Sequence, residues 1–174
     1  MKKIFLVSVL FVAVVSLVSF KKNVAQPNIS SSQNDSLLYE GEKHFANMQQ
    51  LTFGGDNAEA YFSFDGKYIV FQKTSVKDGV PCDQIFVGKV PAPGETFEYK
   101  RGSNGKGRTT CGAFLKDGKH VVFASTHLDA DNCPPTPDRA KYGNKYIWPL
   151  YSSYDIFVAD LDGNIVKQLT NSKG

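Results

Sequence analysis

The chain has 174 residues, of which 41% are hydrophobic and 21% charged, a balance typical of a globular protein that buries a core. This composition excludes a disordered or fibrous chain. The formal net charge is only +3, and no block of lysines and arginines occurs beyond the N-terminus, so we do not expect nucleic acid as a partner. Many short runs of Val, Ile and Phe are bounded by Gly, Asp and Asn, which predicts an all-β fold.

The N-terminus has the pattern of an export signal. Lys2 and Lys3 precede an uncharged, mostly apolar run over residues 4–20, as in the charged and hydrophobic parts of a signal peptide. We predict a signal peptide over residues 1–25, with cleavage near Ala25. The run is marginal for a membrane span, which needs roughly 20 apolar residues. An uncleaved anchor is therefore the less favoured alternative. The expected location is the periplasm or the exterior, with membrane contact only through an uncleaved signal segment.

Residues 26 to about 38 are rich in Ser, Asn and Gln and show no apolar periodicity, and residues up to 48 lead into the repeats. Such a composition is typical of a flexible tether, because it offers too little apolar surface to pack. We therefore predict a flexible linker and lead-in between the export signal and the folded part.

An internal repeat organises residues 49–174. The sequence FSFDGKYIVF at 62–71 returns as FLKDGKHVVF at 114–123, about 52 residues further along. Each copy predicts the end of one strand, an Asp-Gly turn and a second, apolar strand. A third strand follows in each copy, at 83–87 and 154–158. The period is close to that of the four-stranded blades of β-propellers.

The second copy differs from the first by an insertion. Residues 127–152 separate its second and third strands, include two adjacent prolines and end in a Tyr/Trp cluster, which predicts a long loop at one rim. A fourth strand is predicted at 165–170. The tripeptide QLT at 168–170 also repeats QLT at 50–52, so a third unit is expected to follow.

These motifs resemble the TolB-type, WD-repeat-like β-propeller family of exported bacterial proteins. The shared sequences are LT at 51–52, SFDGK at 63–67, IVF at 69–71 and DIFVAD at 155–160. Phe64 and Lys116 stand where the family has proline, and Leu115 stands where it has serine. The resemblance implies blades of four-stranded antiparallel sheet in an incomplete propeller.

Propellers close with about four to eight blades, so two predict either a fragment of a longer chain, which we favour, or assembly of several copies. Within such a repeat the aspartates of the turn and of the third strand have structural roles, because their carboxylates can accept backbone hydrogen bonds. We predict this for Asp65, Asp117 and Asp155.

The usual binding surface of a propeller is its channel mouth, which the loops before the innermost strands line. Here those loops are predicted at 54–59 and 105–110, both polar and rich in glycine. Tight turns between blades need the same residue types, which is the structural alternative. The candidate binding residues are Asp56, Asn57, Glu59, Arg108, Thr109 and Thr110.

The insertion supplies a second candidate surface. Tyr146, Trp148 and Tyr151 could stack on a sugar ring or another small ligand, and packing of the insertion onto the blades is the alternative. We expect no cofactor and no catalytic residue. A metal site at His127, Asp129, Asp131 and Cys133 is disfavoured because the other ligands of a calcium loop are missing.

Three cysteines in an exported chain predict one disulfide and one free thiol. The sequence leaves open which of Cys82, Cys111 and Cys133 form the pair. A nucleophilic cysteine is not expected, because no histidine with a defined partner accompanies any of them.

The sequence is compatible with three functions. The leading one is a non-catalytic binding or scaffold module of the cell envelope whose partners are envelope proteins, together with further blades or another copy. The second is the propeller portion of an exported peptidase similar to prolyl oligopeptidase, whose Gly-x-Ser-x-Gly nucleophile motif this chain lacks. The third is a propeller that binds carbohydrate or another small ligand.

Overall fold

The computed structural model describes residues 37–45 and 47–171. The predicted signal peptide and about half of the predicted linker, residues 26–36 and 46, lie outside these residues. The described part is all-β, as predicted, with 37% of residues in strands and 6% in helices. The strands form two four-stranded antiparallel sheets, neither of which is closed. No helix of this part is long and apolar enough to cross a membrane.

The strands follow one another along each sheet in chain order. Sheet 1 consists of β1 (Asp56–Phe62), β2 (Tyr68–Ser75), β3 (Val80–Lys89) and β4 (Tyr99–Arg101). Sheet 2 consists of β5 (Thr109–Phe114), β6 (His120–Ser125), β7 (Asp155–Asp160) and β8 (Ile165–Gln168). The predicted insertion is confirmed as the connection between β6 and β7, and it contains one short 3-10 helix, Arg139–Tyr142.

The predicted Asp-Gly turns join the first two strands of each sheet. Gly66 and Gly118 have φ angles of +70° and +65°, a conformation that glycine adopts without steric cost. The Asp65 carboxylate accepts a hydrogen bond from the backbone N–H of Lys67 at 3.1 Å, and Asp117 accepts the matching bond from Lys119 at 2.9 Å. The structural roles predicted for these two aspartates are confirmed.

A hydroxyl group fastens the outermost segment of each sheet to its third strand. In sheet 2 the Thr170 hydroxyl donates to Asp155 at 2.7 Å and accepts from the backbone N–H of Ile156 at 2.8 Å. In sheet 1 the Ser103 hydroxyl donates to the Gln84 side chain at 2.8 Å and accepts from the next backbone N–H of β3 at 3.1 Å. The two sheets therefore repeat each other in detail, and Asp155 has the predicted structural role.

The two sheets stack face to face through an apolar core. Gly112 of β5 permits the close approach, because a Cβ atom there would lie 3.0 Å from Ile85 and 3.2 Å from Val70. The buried side chains of this core are Val70, Ile85 and Val87 from sheet 1 and Phe114, Val121, Phe123, Phe157 and Ala159 from sheet 2. Burial of these side chains from both sheets is the main force that holds the two units together.

Candidate functional site

Both inner strands begin at the same edge of the stacked sheets, which we call the insertion rim. Thr109 of β5 pairs with Ser125 at the end of β6, from which the insertion departs. Asp56 of β1 pairs in the same way with Thr74 of β2. The prediction that 54–59 and 105–110 are loops is wrong in part, because β1 already begins at Asp56 and β5 at Thr109.

Each inner strand contains a β-bulge at the same point of the repeat. The pairing register shifts between Ala58 and Tyr61 in β1 and between Thr110 and Ala113 in β5. Inside these shifts Glu59 and Cys111 have φ angles of 49° and 57°. Bulges re-aim side chains, and these two bring the Glu59 carboxylate beside the Cys111 thiol. Glu59 and Cys111 lie one repeat period apart and therefore occupy equivalent positions in the two copies, which the sequence alone indicates.

Polar side chains link the two sheets at the insertion rim. The Arg108 guanidinium contacts the Asp83 carboxylate at 2.6 Å, and both side chains are only about one-fifth exposed, at 22% and 20%. The Thr110 hydroxyl donates to the Gln72 side-chain oxygen at 2.7 Å, and that oxygen also accepts from the backbone N–H of Cys111 at 3.3 Å. Strands β2 and β3 supply Gln72 and Asp83, which sequence reasoning did not select.

The structure places the six predicted channel-mouth residues in three different environments. Glu59, Arg108 and Thr110 converge on the contact between β1, β2, β3 and β5. Thr109 is fully buried and its hydroxyl donates to a backbone oxygen at 3.3 Å, which makes it a packing residue. The remaining two, Asp56 and Asn57, lie exposed at the start of β1, where the Asn57 amide donates to the Gly54 oxygen at 3.2 Å.

The base of the insertion closes this polar cluster. Tyr154, directly before β7, lies near Arg108 and Asp83, and burial raises its pKa to about 12. Its ring packs against Tyr151, with 5.9 Å between ring centroids. The phenol is therefore neutral at physiological pH.

The cluster contains the free thiol of Cys111. Partial burial of the thiol raises its pKa, a hydrogen bond with Thr110 opposes this rise, and the Glu59 carboxylate adds to it. A nucleophilic cysteine needs the opposite environment, because the thiolate is the attacking species. The environment of Cys111 therefore favours the protonated thiol over the thiolate.

Glu59→Gln is expected to speed the alkylation of Cys111 by iodoacetamide at pH 8. Removing the negative charge lowers the thiol pKa, so a larger fraction is thiolate at that pH. The measurement is the pH dependence of the alkylation rate, whose midpoint should move to lower pH. Asp56→Asn on the same strand is the matched control, and an equal change in both variants would contradict the contact.

A disulfide attaches the insertion to sheet 1. Cys82 of β3 and Cys133 of the insertion are bonded, with 5.9 Å between their Cα atoms, and Cys111 is free and exposed. One disulfide and one free thiol are confirmed, and the structure supplies the pairing. Next to the disulfide, the backbone N–H of Gly107 donates to the backbone carbonyl oxygen of Asp131 at 2.9 Å. The Lys106 ammonium group pairs with the side-chain carboxylate of Asp131 at 3.0 Å.

Three of the four residues weighed as a metal site have other partners. Cys133 is used by the disulfide, and Asp131 pairs with Lys106. The His127 ring packs on Phe157, with 4.3 Å between ring centroids. Within residues 37–45 and 47–171, no group of three or more His, Cys, Asp or Glu side chains is placed to hold a metal ion.

His127 is expected to make the protein less stable as the pH falls through about 6.5, its ordinary pKa. Burial, and then the charge of Lys106, lower the pKa of His127 in the folded state. The unfolded chain therefore binds the proton more readily, so stability is present above the unfolded pKa and is lost below it. Urea unfolding at pH 5.5 and 7.5 measures this. His127→Asn should reduce the difference, whereas His44→Asn, an exposed control, should leave it unchanged.

The three predicted aromatic residues of the insertion belong to two ring pairs, the second of which is completed by Tyr154. Tyr146 and Trp148 are each 72% exposed and lie edge to face, with ring centroids 6.3 Å apart and an interplanar angle of 73°. The Arg139 guanidinium lies 5.1 Å over the Tyr146 ring. Tyr151 instead packs on Tyr154 and donates its hydroxyl hydrogen to the Pro135 oxygen at 2.9 Å. Tyr151 thus contributes to the anchored base of the insertion.

Comparison with known proteins adds no relative: no protein-family model matches the chain, and no curated protein is similar to it in sequence.

Proposed function

We propose that this protein is a non-catalytic, exported β-propeller module of the cell envelope that binds another protein at its insertion rim, similar to proteins of the TolB type. The observation that carries the proposal is the insertion, which is fastened to the neighbouring sheet and yet presents large apolar side chains to solvent. These exposed side chains are Leu128, Tyr142, Tyr146, Trp148 and Leu150.

The repeat supports the propeller part of the proposal. The two sheets stack face to face. They share the strand order, the Asp-Gly turn, and the hydroxyl group that bonds the last segment of each sheet to its third strand. Successive four-stranded sheets that pack in this way are the building pattern of a propeller. The wide separation of β6 and β7 along the chain fits a loop inserted at one rim of such a blade.

The composition of the exposed surface supports a protein partner. Tyr, Trp and Arg are the residues most enriched at the energetic centres of protein interfaces, and Arg139, Tyr146 and Trp148 lie together here. The edge-to-face arrangement of the two rings presents no single flat surface for a sugar. The polar groups below the insertion largely satisfy one another, and the thiol among them is not activated, which supports a non-catalytic role.

A photo-crosslinker tests this proposal. With p-benzoylphenylalanine in place of Trp148, irradiation of the protein in the envelope fraction of the producing cells should give one discrete crosslinked protein. Arg139→Gln combined with Tyr146→Ala should weaken that product about tenfold or more, the scale of a truncated interface anchor. The control is the same crosslinker at Phe64, which is exposed in the Asp-Gly turn of sheet 1.

Two outcomes would overturn the proposal. Equal crosslinking from positions 64 and 148 would mean that contacts at the insertion are non-specific. Trp148 is the single tryptophan of the chain, so its fluorescence reports directly on the rim. A saturable change of that fluorescence with a polysaccharide, without a protein crosslink, would establish the carbohydrate alternative.

A further inference from the structure

A pocket opens on the face of sheet 1 that points away from sheet 2. It lies between the outer strand β4 and the connection from β2 to β3, which contains a short 3-10 helix, Val76–Asp78. Its volume is about 1090 Å³, which is enough for a small organic molecule. Three aromatic rings and three cationic side chains contribute to its lining: Phe86, Phe97, Tyr99, Lys73, Lys77 and Arg101.

Lys73 is a buried charge at this pocket, because its side chain is only 6% exposed. Its ammonium group donates to the Tyr99 hydroxyl oxygen at 2.8 Å and pairs with the Asp78 carboxylate at 3.0 Å. Burial lowers the pKa of Lys73, but the hydrogen bonds with Tyr99 and Asp78 outweigh burial and raise the pKa above its ordinary value. The ammonium group is therefore charged at physiological pH.

Two hydrogen-bond donors at this point have no acceptor in the described part of the chain. An ammonium group has three N–H bonds, and Lys73 uses two of them. The Tyr99 oxygen accepts from Lys73, so the hydroxyl hydrogen of Tyr99 is left to donate. Because the two donor atoms are 2.8 Å apart, the two oxygens of one carboxylate can accept from both.

The repeat shows that the sheet itself does not require this pair of donors. Ser125 occupies the position of Lys73, because it pairs with β7 as Lys73 pairs with β3. The part of β8 that corresponds to Tyr99 has Ile165 and Val166, neither of which carries a hydroxyl group. Sheet 2 thus forms the same four strands without a buried cation and without a phenol beside it.

Stacking of a neighbouring sheet on this face would leave the β4 side of the pocket uncovered. Sheet 2 packs on sheet 1 through the equivalent face, since Phe123 and Phe157 of the core are the counterparts of Phe71 and Phe86. All four residues of β8 nevertheless stay exposed. Strand β4 is the equivalent outer strand, so a ligand can enter from its side when another sheet packs on the inner strands.

The charges at the pocket favour a ligand with one negative charge. Asp78 and Glu98 line the pocket together with Lys73, Lys77 and Arg101, so three cations and two anions leave a net charge of +1. A carboxylate balances this charge, whereas a phosphate dianion exceeds it and is repelled by the two acidic side chains. The aromatic wall favours an apolar body for the rest of the ligand, because it buries apolar surface there.

We propose that this pocket binds a small organic acid, whose carboxylate accepts from Lys73 and Tyr99 and whose apolar body lies against the rings of Phe86 and Phe97. A free acid and the C-terminus of a peptide that ends in an apolar residue present the same chemistry. The test below separates these two sources. The site is independent of the protein partner proposed for the insertion rim.

Calorimetric titration of the whole protein tests this proposal with 3-phenylpropionate as the probe. Saturable binding at one site is expected, with a dissociation constant of about 1 mM or lower for a ligand of this size. The uncharged 3-phenylpropanamide should bind about tenfold or more weakly, because it cannot form charge-assisted hydrogen bonds. N-acetyl-alanyl-phenylalanine carries the same carboxylate at a peptide C-terminus. Its tighter binding would identify a peptide as the source of the ligand, and its weaker binding a free acid.

Substitutions at the two donors locate the binding site. Tyr99→Phe removes only the hydroxyl group, so it should weaken the binding of 3-phenylpropionate about tenfold, the scale of one hydrogen bond to a charged group. Tyr61→Phe on β1, where the side chain is exposed, is the matched control and should leave binding unchanged. Lys73→Met should abolish binding. Because it leaves Asp78 without its partner, circular dichroism must show that this variant folds, and Tyr99→Phe decides the question if it does not.

Several results would overturn the proposal. Absence of saturable binding by both acids would remove the site, and equal binding of the acid and the amide would remove the role of the carboxylate. Equal effects of Tyr99→Phe and Tyr61→Phe would place the bound acid elsewhere. Tighter binding of benzylphosphonate than of 3-phenylpropionate would contradict the preference for a single charge. The crosslinking at Trp148 is measured independently, so failure of the rim proposal and failure of the pocket proposal are distinguishable.

Discussion

Phe123→Ala is expected to lower the free energy of unfolding by about 3–5 kcal/mol, the usual cost of removing a buried phenylalanine ring. Phe123 is 1% exposed and lies in the core between the two sheets, where Phe157 and Val121 of sheet 2 meet sheet 1. The sheets cannot close around the lost ring without shifting the hydrogen-bonded strands. The loss includes both the transfer of the ring and the cavity it leaves. Urea unfolding followed by far-ultraviolet circular dichroism measures it.

Phe64→Ala is the matched control, because the same ring is removed from a turn where it is exposed. Its effect should stay within about 0.5 kcal/mol, as for most surface substitutions. Comparable losses in the two variants would contradict the stacking of the sheets. A decrease confined to the unfolding of one sheet would show that the two sheets unfold separately.

The repeated strands could be predicted from the sequence because their signals are local. The apolar runs of β2 and β6 follow an Asp-Gly turn, and the third strands contain the shared Ile-Phe-Val run. Turn chemistry and a period of about 52 residues therefore locate most strands. The first half of β1 lacks such a signal, because Asp56, Asn57 and Glu59 are polar and the first two are exposed. Its strand conformation depends on backbone pairing with β2, which a local pattern does not reveal.

The contacts of the candidate site could be predicted only in part, because they join distant segments. Glu59 and Arg108 were selected from polar, glycine-rich stretches, but Asp83 and Gln72 lie in strands and become visible as partners only when the sheets stack. The pairing of Cys82 depends on the same stacking. The packing of Phe97 and Leu51 onto Phe71 and Phe86 of sheet 1 could not be predicted either, because Phe97 and Leu51 lie in segments without regular structure.

Removing the disulfide with Cys82→Ser and Cys133→Ser is expected to lower the free energy of unfolding by about 4 kcal/mol, the chain-entropy value for a loop of this size. The two cysteines are 51 residues apart in sequence, and the bond joins the insertion to β3 of the other sheet. Without the bond, the unfolded chain gains conformational freedom and the insertion loses its covalent attachment. Urea unfolding of the double variant measures the loss.

Cys111→Ser is the matched control, since it removes the exposed free thiol and no bond, and it should leave the midpoint almost unchanged. The fluorescence of Trp148 reports on the insertion and circular dichroism on the sheets. Separate transitions in the double variant would show that the insertion detaches first. An unchanged midpoint would contradict the pairing of Cys82 with Cys133. Because disulfides persist in oxidising compartments, a large loss would make the exposed rim surface depend on export, which connects the predicted signal segment to the proposed binding role.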